Sequence, residues 1–446
     1  MSNMPMTNPE GALAVRDEQY GHSSTFVELE NGDILHGAGA IFRRSEDGGL
    51  NWSESYRCVD TEGLPVVSES LVRLSGAGIG SACHGYLDKQ DKHHCRGQIF
   101  FRRSEDGGRT WQPRTPVTVP GGTETIGFGH YMLQDVLLRT HSGRIIVPAY
   151  ISLKQTHVSG VRDGNAMRWP KGPGIAFPGS LFNNRFVSTS AHFSDPAFSA
   201  STVFHSDDDG RTWKQCRSNY LVLNLEHGGP YATCPEPTVT EVRPGYLLLF
   251  MRTGLGRLYQ AWSEDDGDTW TFPQPSPLAA DRSPAQLRTL PDTNHLLCVW
   301  NQHSEAEIRD GLVRVRLSSA ISRTGGAVWE FFQNIESIME ETWIPPGPIR
   351  FVRPESVHHV DGQPAPVLDP DHVKPLPEGY GRWSYPSVMV YRDRVLIAHT
   401  FSKYDEKANN VGGSRLKVLP INWFYGGGDP TEESVNIKTL VNPAKP

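Results

Sequence analysis

The sequence lacks the features that would mark a membrane-spanning, disulfide-linked or nucleic-acid-binding protein. No apolar run approaches the ~20 residues that a helix needs to cross a bilayer. The six cysteines are scattered, without a Cys-x-x-Cys pair or a metal-ligand spacing, so we expect free and mostly buried thiols. With a formal net charge of −7 there is no excess of basic residues, and we expect neither nucleic acid nor a membrane as a partner.

A secretory leader and a helical period are also missing. Residues 1–13 contain no basic region followed by an apolar core, so we expect no secretory signal and a cytoplasmic location. No long segment repeats its apolar residues with the ~3.6-residue period of a helix. Instead, 44 Gly and 34 Pro favour a fold of many short strands joined by turns.

An octapeptide that begins with Ser and ends with Trp recurs five times. Four copies read Ser-x-Asp-x-Gly-x-Thr/Asn-Trp, and the fifth keeps the Ser, the Gly and the Trp but has lost the Asp. The copies start at Ser45, Ser104, Ser206, Ser263 and Ser322, at steps of 59, 102, 57 and 59 residues. The Asp can accept hydrogen bonds from the backbone and the Gly permits a positive φ, so each copy predicts a hairpin turn whose Trp packs into a sheet.

Strand–turn–strand patterns precede these turns, and together they predict an all-β fold. The patterns begin near residues 22, 68, 134, 236, 283 and 385. A spacing close to one four-stranded antiparallel unit predicts a six-bladed β-propeller, with residues 1–446 as a single domain. We expect residues about 152–200 to be an insertion in the third blade and residues about 344–381 to be a Pro-rich excursion. The strand 417–425 is expected to complete the last blade.

One stretch carries a family resemblance. Between Glu236 and Trp270 the sequence places a Glu at the start of an inner strand, an Arg 16 residues later, and then the octapeptide. Residues 283–301 are similarly typical of the same group. The chain resembles, over nearly its whole length, the sialidase (neuraminidase) superfamily and, within it, bacterial sialidase-like proteins with BNR repeats, whose octapeptide is called the Asp-box. The resemblance implies an exo-glycoside hydrolase for an acidic sugar, without a cofactor.

The resemblance also implies roles for single residues. Sialidases hold a sugar carboxylate with three arginines and use a Tyr nucleophile, which a Glu assists. Glu236 matches that Glu, and Arg252 and Arg314 match the second and third arginines. Tyr385 opens an inner strand, as the nucleophilic Tyr does. Arg316 lies on the same face of its strand as Arg314 and is the alternative third arginine.

Two parts of the sialidase pattern are absent. His22 stands where the first arginine is expected, and it could bind substrate or act as a general acid or base. The first-blade loop that carries the acidic Asp in sialidases is reduced to residues 36–40. We therefore expect the proton donor in the second-blade loop, whose acid–base residues are His84, Asp88, Asp91, His93 and His94. Asp88 is the catalytic candidate there and His94 a substrate contact, while Gln134 of the third blade is expected to face the same channel.

Other interpretations remain open at this stage. Arg252 could form a blade-to-blade salt bridge, and Tyr385 could be a packed aromatic. The Asp-box also occurs in propellers without glycosidase activity, so a non-catalytic carbohydrate-binding propeller is one alternative. Another is a polysaccharide or oligosaccharide lyase, or a different glycosidase, in which His22 and Tyr385 perform the acid–base chemistry.

Overall fold

The computed structural model consists almost entirely of antiparallel strands. It describes residues 11–18, 24–86, 97–118, 130–132, 135–154, 179–182, 185–188, 197–223, 234–280, 282–359, 366–404, 410–428 and 430. Consecutive strands pair with one another and form six separate sheets, the blades. The inner strand of each blade contacts the inner strand of the next, and the sixth contacts the first, so the blades form a closed ring. The predicted six-bladed β-propeller is confirmed.

The first strand of the chain, β1 (Ala14–Glu18), belongs to the last blade. Blade 1 contains β2 (Ser24–Glu28), β3 (Ile34–Ala38) and β4 (Ile41–Ser45), and Tyr56 bridges Phe42 at its outer edge. Blade 2 contains β5 (Ser70–Arg73), β6 (Ile79–Tyr86), β7 (Gly97–Ser104) and β8 (Thr115–Pro116). Blade 3 contains β10 (Leu138–Arg139), β11 (Ile145–Lys154), β14 (Ala197–Ser206) and β15 (Lys214–Gln215), and β9 (His130–Tyr131) also pairs with β11. A separate hairpin consists of β12 (Gly179–Phe182) and β13 (Arg185–Ser188).

The second half of the chain forms three more blades. Blade 4 contains β16 (Thr238–Arg243), β17 (Tyr246–Met251), β18 (Arg257–Ser263) and β19 (Gln274–Ala279). Blade 5 contains β20 (Gln286–Thr289), β21 (Leu296–Trp300), β22 (Arg316–Ser322) and β23 (Glu330–Ser337), with the short helix α1 (Glu305–Arg309) between β21 and β22. A small hairpin follows, β24 (Val357–His359) and β25 (Pro366–Leu368), and then a 3₁₀ helix (Pro370–His372). Blade 6 contains β26 (Gly381–Tyr391), β27 (Arg394–Tyr404), β28 (Asn410–Pro420) and β1.

The ring closes differently from the sequence-based expectation. The expected final strand 417–425 is wrong, because β28 ends at Pro420 and a 3₁₀ helix (Ile421–Tyr425) follows. The outer position of blade 6 is filled by β1, in which Asp17 faces Arg415 of β28. Arg415 Nη2 donates to Asp17 Oδ2 at 2.7 Å, so an ion pair supports this closure between the two ends of the chain.

The Asp-box turns have the predicted hydrogen bonds. In the second box, Asp106 Oδ1 accepts bonds from Ser104 Oγ and from Thr110 N, each at 2.8 Å. Trp111 Nε1 donates to Gly108 O at 3.1 Å, and the Trp111 side chain is fully buried. Gly108 has φ +84°, and a Cβ there would lie 2.9 Å from a neighbouring leucine methyl group, so the turn requires glycine at this position. Trp270 and Trp329 of the fourth and fifth boxes are buried as well, whereas Trp52 and Trp213 are half-buried.

The structure tests only some of the predictions about cysteines, insertions and domain boundaries. The five described cysteines are free as expected, four of them buried and Cys58 half-buried. The residues between Lys154 and Ala197 fall inside the predicted insertion, and of these the structure describes only the hairpin of β12 and β13. The boundaries of the insertion, the excursion and the single domain therefore stay predictions. Of the helices in the described ranges, none is long and apolar enough to cross a membrane.

Candidate active site

One face of the propeller collects the residues that the sequence suggested for the site. Neighbouring strands are antiparallel, so inner strands begin on the face where second strands end. Glu236 precedes β16 and Arg252 follows β17. Arg314 precedes β22, and Tyr385 lies near the start of β26. Because the Asp-box turns follow the third strands, they lie on the opposite face. We call the face that carries these four residues the mouth.

Glu236 and Arg252 form an ion pair within blade 4. Arg252 Nη1 donates to Glu236 Oε2, and only 4% of the Arg252 side chain and 12% of the Glu236 side chain are exposed. Burial by itself lowers the pKa of Arg252, but Glu236 and the nearby phenol groups of Tyr385 and Tyr150 raise it, so the net shift is upward. The guanidinium therefore stays charged. Among the described residues, no partner accepts a hydrogen bond from its buried Nε.

Arg314 lies against Tyr385, and this contact joins blade 5 to blade 6. The guanidinium carbon lies 5.0 Å from the centre of the Tyr385 ring, which is within cation–π range. Arg314 Nη1 donates to Ser384 Oγ at 3.0 Å. Its Nε and Nη2 are buried, and within the described part of the chain neither has a hydrogen-bond partner. Two N–H donor groups of the Arg314 guanidinium, Nε and Nη2, can therefore bind an acceptor of a ligand.

A buried Asn fixes the seam beneath Arg314 and Tyr385. Asn301 Nδ2 donates to Arg316 O at 2.8 Å and to Trp383 O at 2.7 Å. Trp383 N in turn donates to Arg314 O at 3.0 Å. The amide of Asn301 thereby ties the backbone that carries Arg314 to the backbone that carries Tyr385.

The backbone at the mouth is strained at three of the four residues. Glu236, Arg314 and Tyr385 have φ values of +54°, +56° and +54°, in the left-handed region that favours glycine. Such a conformation costs roughly 1–3 kcal/mol in a residue other than glycine, and it persists where the surrounding structure imposes it. Residues of this kind cluster at functional sites, because the backbone is bent to aim a side chain.

The structure distinguishes the two candidates for the third arginine. Arg316 is fully buried within β22, and its Nη2 donates to Glu307 Oε1 at 2.9 Å. Its charge is therefore neutralised inside blade 5. Arg314 is the one that contacts Tyr385, and no described carboxylate forms an ion pair with it. Arg252 pairs within its own blade, so the alternative of a blade-to-blade salt bridge is wrong.

Four predicted site residues belong to segments that the structure does not describe. His22, Asp88, Gln134 and His94 lie outside the described residues, as do Asp91 and His93. Their roles stay predictions. His84 is described, and it lies within β6 and not in the loop where the sequence analysis expected it.

The family follows from a direct match. The model of the BNR repeat-like domain family matches residues 86–397, well over half of the chain. The chain belongs to the BNR repeat-like family. This confirms the sequence-based resemblance to sialidase-like BNR-repeat proteins.

Solved structures share the fold of this BNR repeat-like protein at low sequence identity. A protein of unknown function from Dyadobacter fermentans is 16% identical with a TM-score of 0.52, over 92% of this chain and 98% of that one. The NanB sialidase from Streptococcus pneumoniae is 12% identical with a TM-score of 0.52, over 95% of this chain and 73% of that one. The GH93 α-L-arabinofuranosidase of Fusarium graminearum, solved with arabinobiose, is 12% identical with a TM-score of 0.51, over 94% of this chain and 97% of that one. The chain has a sialidase-like propeller fold.

Sequence reasoning missed two residues at the mouth of the BNR repeat-like domain. Tyr150 of β11 lies close enough to Arg252 to influence its pKa. Ser384, beside Tyr385, accepts the hydrogen bond from Arg314. The pairing of first and second strands in each blade identifies Tyr150. Counted along these pairs, Tyr150 on the second strand of blade 3 corresponds to Arg252 after the second strand of blade 4. Within the described ranges, no group of three His, Cys, Asp or Glu side chains could hold a metal ion.

Proposed function

We propose that this BNR repeat-like protein is a retaining exo-glycoside hydrolase for an acidic sugar, a sialic acid or a related ulosonic or uronic acid. The observation that carries the proposal is the arrangement at the mouth. Two charged guanidinium groups, each with buried N–H donors that no described residue satisfies, lie beside a Tyr and a Glu. That combination suits the binding of a carboxylate next to a nucleophile.

The guanidinium groups favour an anionic ligand. An unsatisfied buried donor costs about 1–3 kcal/mol, so an acceptor that reaches Arg314 Nε and Nη2 on binding recovers this free energy. A carboxylate matches two adjacent guanidinium donors better than a neutral hydroxyl, since it accepts in a bidentate, charge-assisted manner. Arg252 contributes a second positive charge from the neighbouring blade. The ligand of this site is therefore expected to carry a carboxyl group.

The same charge argues for Tyr385 as the nucleophile. A carboxylate nucleophile would be repelled by an acidic sugar, whereas a neutral phenol is not. In the proposed reaction Tyr385 Oη attacks the anomeric carbon while Glu236 accepts the phenol proton. The ion pair with Arg252 keeps Glu236 in place for this transfer. Arg314, over the ring, stabilises negative charge that develops on the Tyr385 oxygen.

The solved proteins of the same fold support the reaction class. One is a sialidase and another is an α-L-arabinofuranosidase, so propellers of this kind carry glycosidase sites. Their identities of 12% leave the sugar open, and the acidic substrate rests on Arg252 and Arg314 alone.

The test begins with purified full-length protein and 4-methylumbelliferyl glycosides of N-acetylneuraminic, ulosonic and uronic acids. We expect release of the fluorophore from at least one acidic glycoside, with retention at the anomeric carbon by NMR. Tyr385→Phe and Glu236→Gln are expected to lower kcat by at least ~10²-fold, the usual contribution of a nucleophile or a general base. Tyr246→Phe, on the Asp-box face, is the matched control and should retain full activity.

The alternatives predict different results. Full activity of Tyr385→Phe on the true substrate would contradict the retaining Tyr mechanism. A product that absorbs in the near ultraviolet, because it contains a new C=C bond, would identify a lyase. Calorimetric binding of acidic sugars without any turnover would identify a carbohydrate-binding propeller.

A further inference from the structure

A second acid–base pair lies at the mouth, in blade 2. Glu69 precedes β5, and its Oε2 accepts a hydrogen bond from His84 N at 2.8 Å and lies 2.7 Å from His84 Nδ1. Of the two side chains, His84 is the more accessible, with 33% exposed against 14% for Glu69. The carboxylate is thus largely enclosed, while a third of the imidazole remains open to solvent.

The strand register places His84 at the level of Arg252. In blade 4, Thr238 faces Phe250 across the first two strands, and Arg252 lies two residues beyond. In blade 2, Ser70 faces Ala82, and His84 lies two residues beyond.

The hydroxyl groups of Thr238 and Ser70 confirm that the two positions correspond. Each accepts a hydrogen bond from the inner strand of the following blade, Leu287 N at 3.3 Å and Leu137 N at 2.9 Å. His84 therefore occupies in blade 2 the position that Arg252 occupies in blade 4.

The described groups around Tyr385 cannot supply a proton to a leaving group. A guanidinium does not act as a proton donor in proteins, which excludes Arg252 and Arg314. Glu236 is paired with Arg252 and is assigned to the phenol proton. A glycosidic oxygen still needs a proton donor, because an unprotonated sugar alkoxide is a poor leaving group.

We propose that His84, oriented by Glu69, is the general acid/base of the hydrolysis. This inference rests on the proposed function. Glu69 at Nδ1 fixes the orientation of the ring and stabilises the imidazolium. Burial by itself lowers the pKa of His84, but the bond with Glu69 raises it, and the net shift is upward.

The proton balance of the two steps is complete. In the first step His84 Nε2–H protonates the glycosidic oxygen while the C–O bond breaks. Tyr385 Oη bonds to the anomeric carbon at the same time, and its proton passes to Glu236. In the second step neutral His84 takes a proton from the attacking water, the bond to Tyr385 breaks, and Glu236 returns its proton to the phenol.

The experiment compares leaving groups. His84→Gln and Glu69→Gln are assayed with the 4-methylumbelliferyl and the methyl α-glycosides of N-acetylneuraminic acid, or of the uronic acid if the wild type cleaves that instead. The umbelliferone is a good leaving group without protonation, whereas methanol is not. We expect His84→Gln to lower kcat/KM on the methyl glycoside by ~10²–10⁴-fold and on the aryl glycoside by less than ~10-fold. Glu69→Gln should show the same selectivity with a smaller loss.

The controls separate a chemical role from a structural one. His141→Gln, an exposed His on the Asp-box face, should match the wild type on both substrates. Equal losses on both glycosides in His84→Gln, or none, would overturn the assignment. If Tyr385→Phe abolishes turnover while His84→Gln has no effect, only this inference fails. If the wild type cleaves no acidic glycoside, the proposed function fails and this inference falls with it. Thermal midpoints within a few degrees of the wild type verify that each variant is folded.

Discussion

Arg288 of blade 5 reaches the centre of the ring and binds Asp135 of blade 3, which is 153 residues away in the sequence. Its Nη2 donates to Asp135 Oδ2 at 2.9 Å and to Asp135 O at 2.6 Å. The same carboxylate accepts Val388 N of blade 6 at 2.9 Å and Thr25 Oγ1 of blade 1 at 3.0 Å. One buried carboxylate thus links four of the six blades.

The pH dependence of stability should reveal Asp135. Burial raises its pKa to about 6, and this outweighs the opposing effect of Arg288. A carboxyl whose pKa is higher in the folded state favours folding below its unfolded pKa, and this contribution is lost as the pH rises through 6. Between pH 4 and pH 7 the wild type should therefore lose about 2 kcal/mol relative to Asp135→Asn. Thermal midpoints of both proteins across this range measure the difference, and a constant difference would contradict the prediction.

Glu336 should act in the opposite direction. Burial by itself raises its pKa, but His399 and Lys417 overcome this and lower it to about 2. Lys417 Nζ lies 2.8 Å and Arg415 Nη1 3.0 Å from Glu336 Oε1, all in the interior. Stability from this group is present above the unfolded pKa near 4.5 and is lost as the pH falls toward 2.

Glu336→Gln leaves the buried Lys417 without its counter-charge and leaves Arg415 with Asp17 as its remaining carboxylate partner. We expect a loss of about 3–5 kcal/mol at pH 7, as for other broken buried ion pairs. Glu330→Gln, whose partner Arg323 lies nearer the surface, is the control and should cost at most ~1 kcal/mol. Chemical denaturation at pH 7 compares the two variants. Equal, small losses would mean that the cluster is not held by Glu336.

Arg314 should determine preference for acidic sugars and not stability. Arg314→Met removes two unsatisfied donors, so the thermal midpoint should stay the same or rise. The loss of a bidentate charge-assisted contact should lower kcat/KM on the acidic glycoside by ~10–100-fold. Arg211→Met, on an exposed Asp-box, serves as the control. A preserved kcat/KM in Arg314→Met would place the sugar carboxylate elsewhere.

The eroded fifth box offers a repair experiment. Thr324 stands where the other boxes have Asp. Its Oγ1 accepts a hydrogen bond from the backbone N–H of Val328 at 2.8 Å. In the second box, Asp106 also accepts Thr110 Oγ1 at 2.7 Å. The double substitution Thr324→Asp and Val328→Thr restores both partners and should stabilise the protein by about 1 kcal/mol. Either single substitution should give less, and a lower thermal midpoint of the double variant would show that blade 5 requires the eroded form.

The repeated turns could be predicted because their information is local. An Asp, a Gly and a Trp within eight residues determine each of the first four boxes, and the spacing between boxes gives the blades. The closing strand β1 was missed because Ala14–Glu18 is short and shows no alternation; only its pairing with β28 identifies it. Local patterns do not reveal which end of a chain completes a ring.

The sequence predicts site residues only where their spacing along paired strands reflects a contact. Glu236 and Arg252 face each other just beyond the ends of two paired strands, so their spacing in the sequence reflects a contact. Strand periodicity predicts one face for Arg314 and Arg316, but Arg314 precedes β22 with a positive φ. Glu307 decides between the two by binding Arg316. The links from Asp135 to Arg288 and Val388 span 153 and 253 residues and leave no local signal at all.

The closure of blade 6 by β1 has a consequence for biosynthesis. A ribosome releases the first strand long before it makes β26 to β28, so β1 has no sheet to join until the last blade emerges. Because Tyr385 belongs to that blade, the proposed catalytic residues come together only after the whole ring has been translated. A nascent chain that stalls after blade 5 therefore carries Glu236, Arg252 and Arg314 without a nucleophile, and its β1 has no strand to pair with.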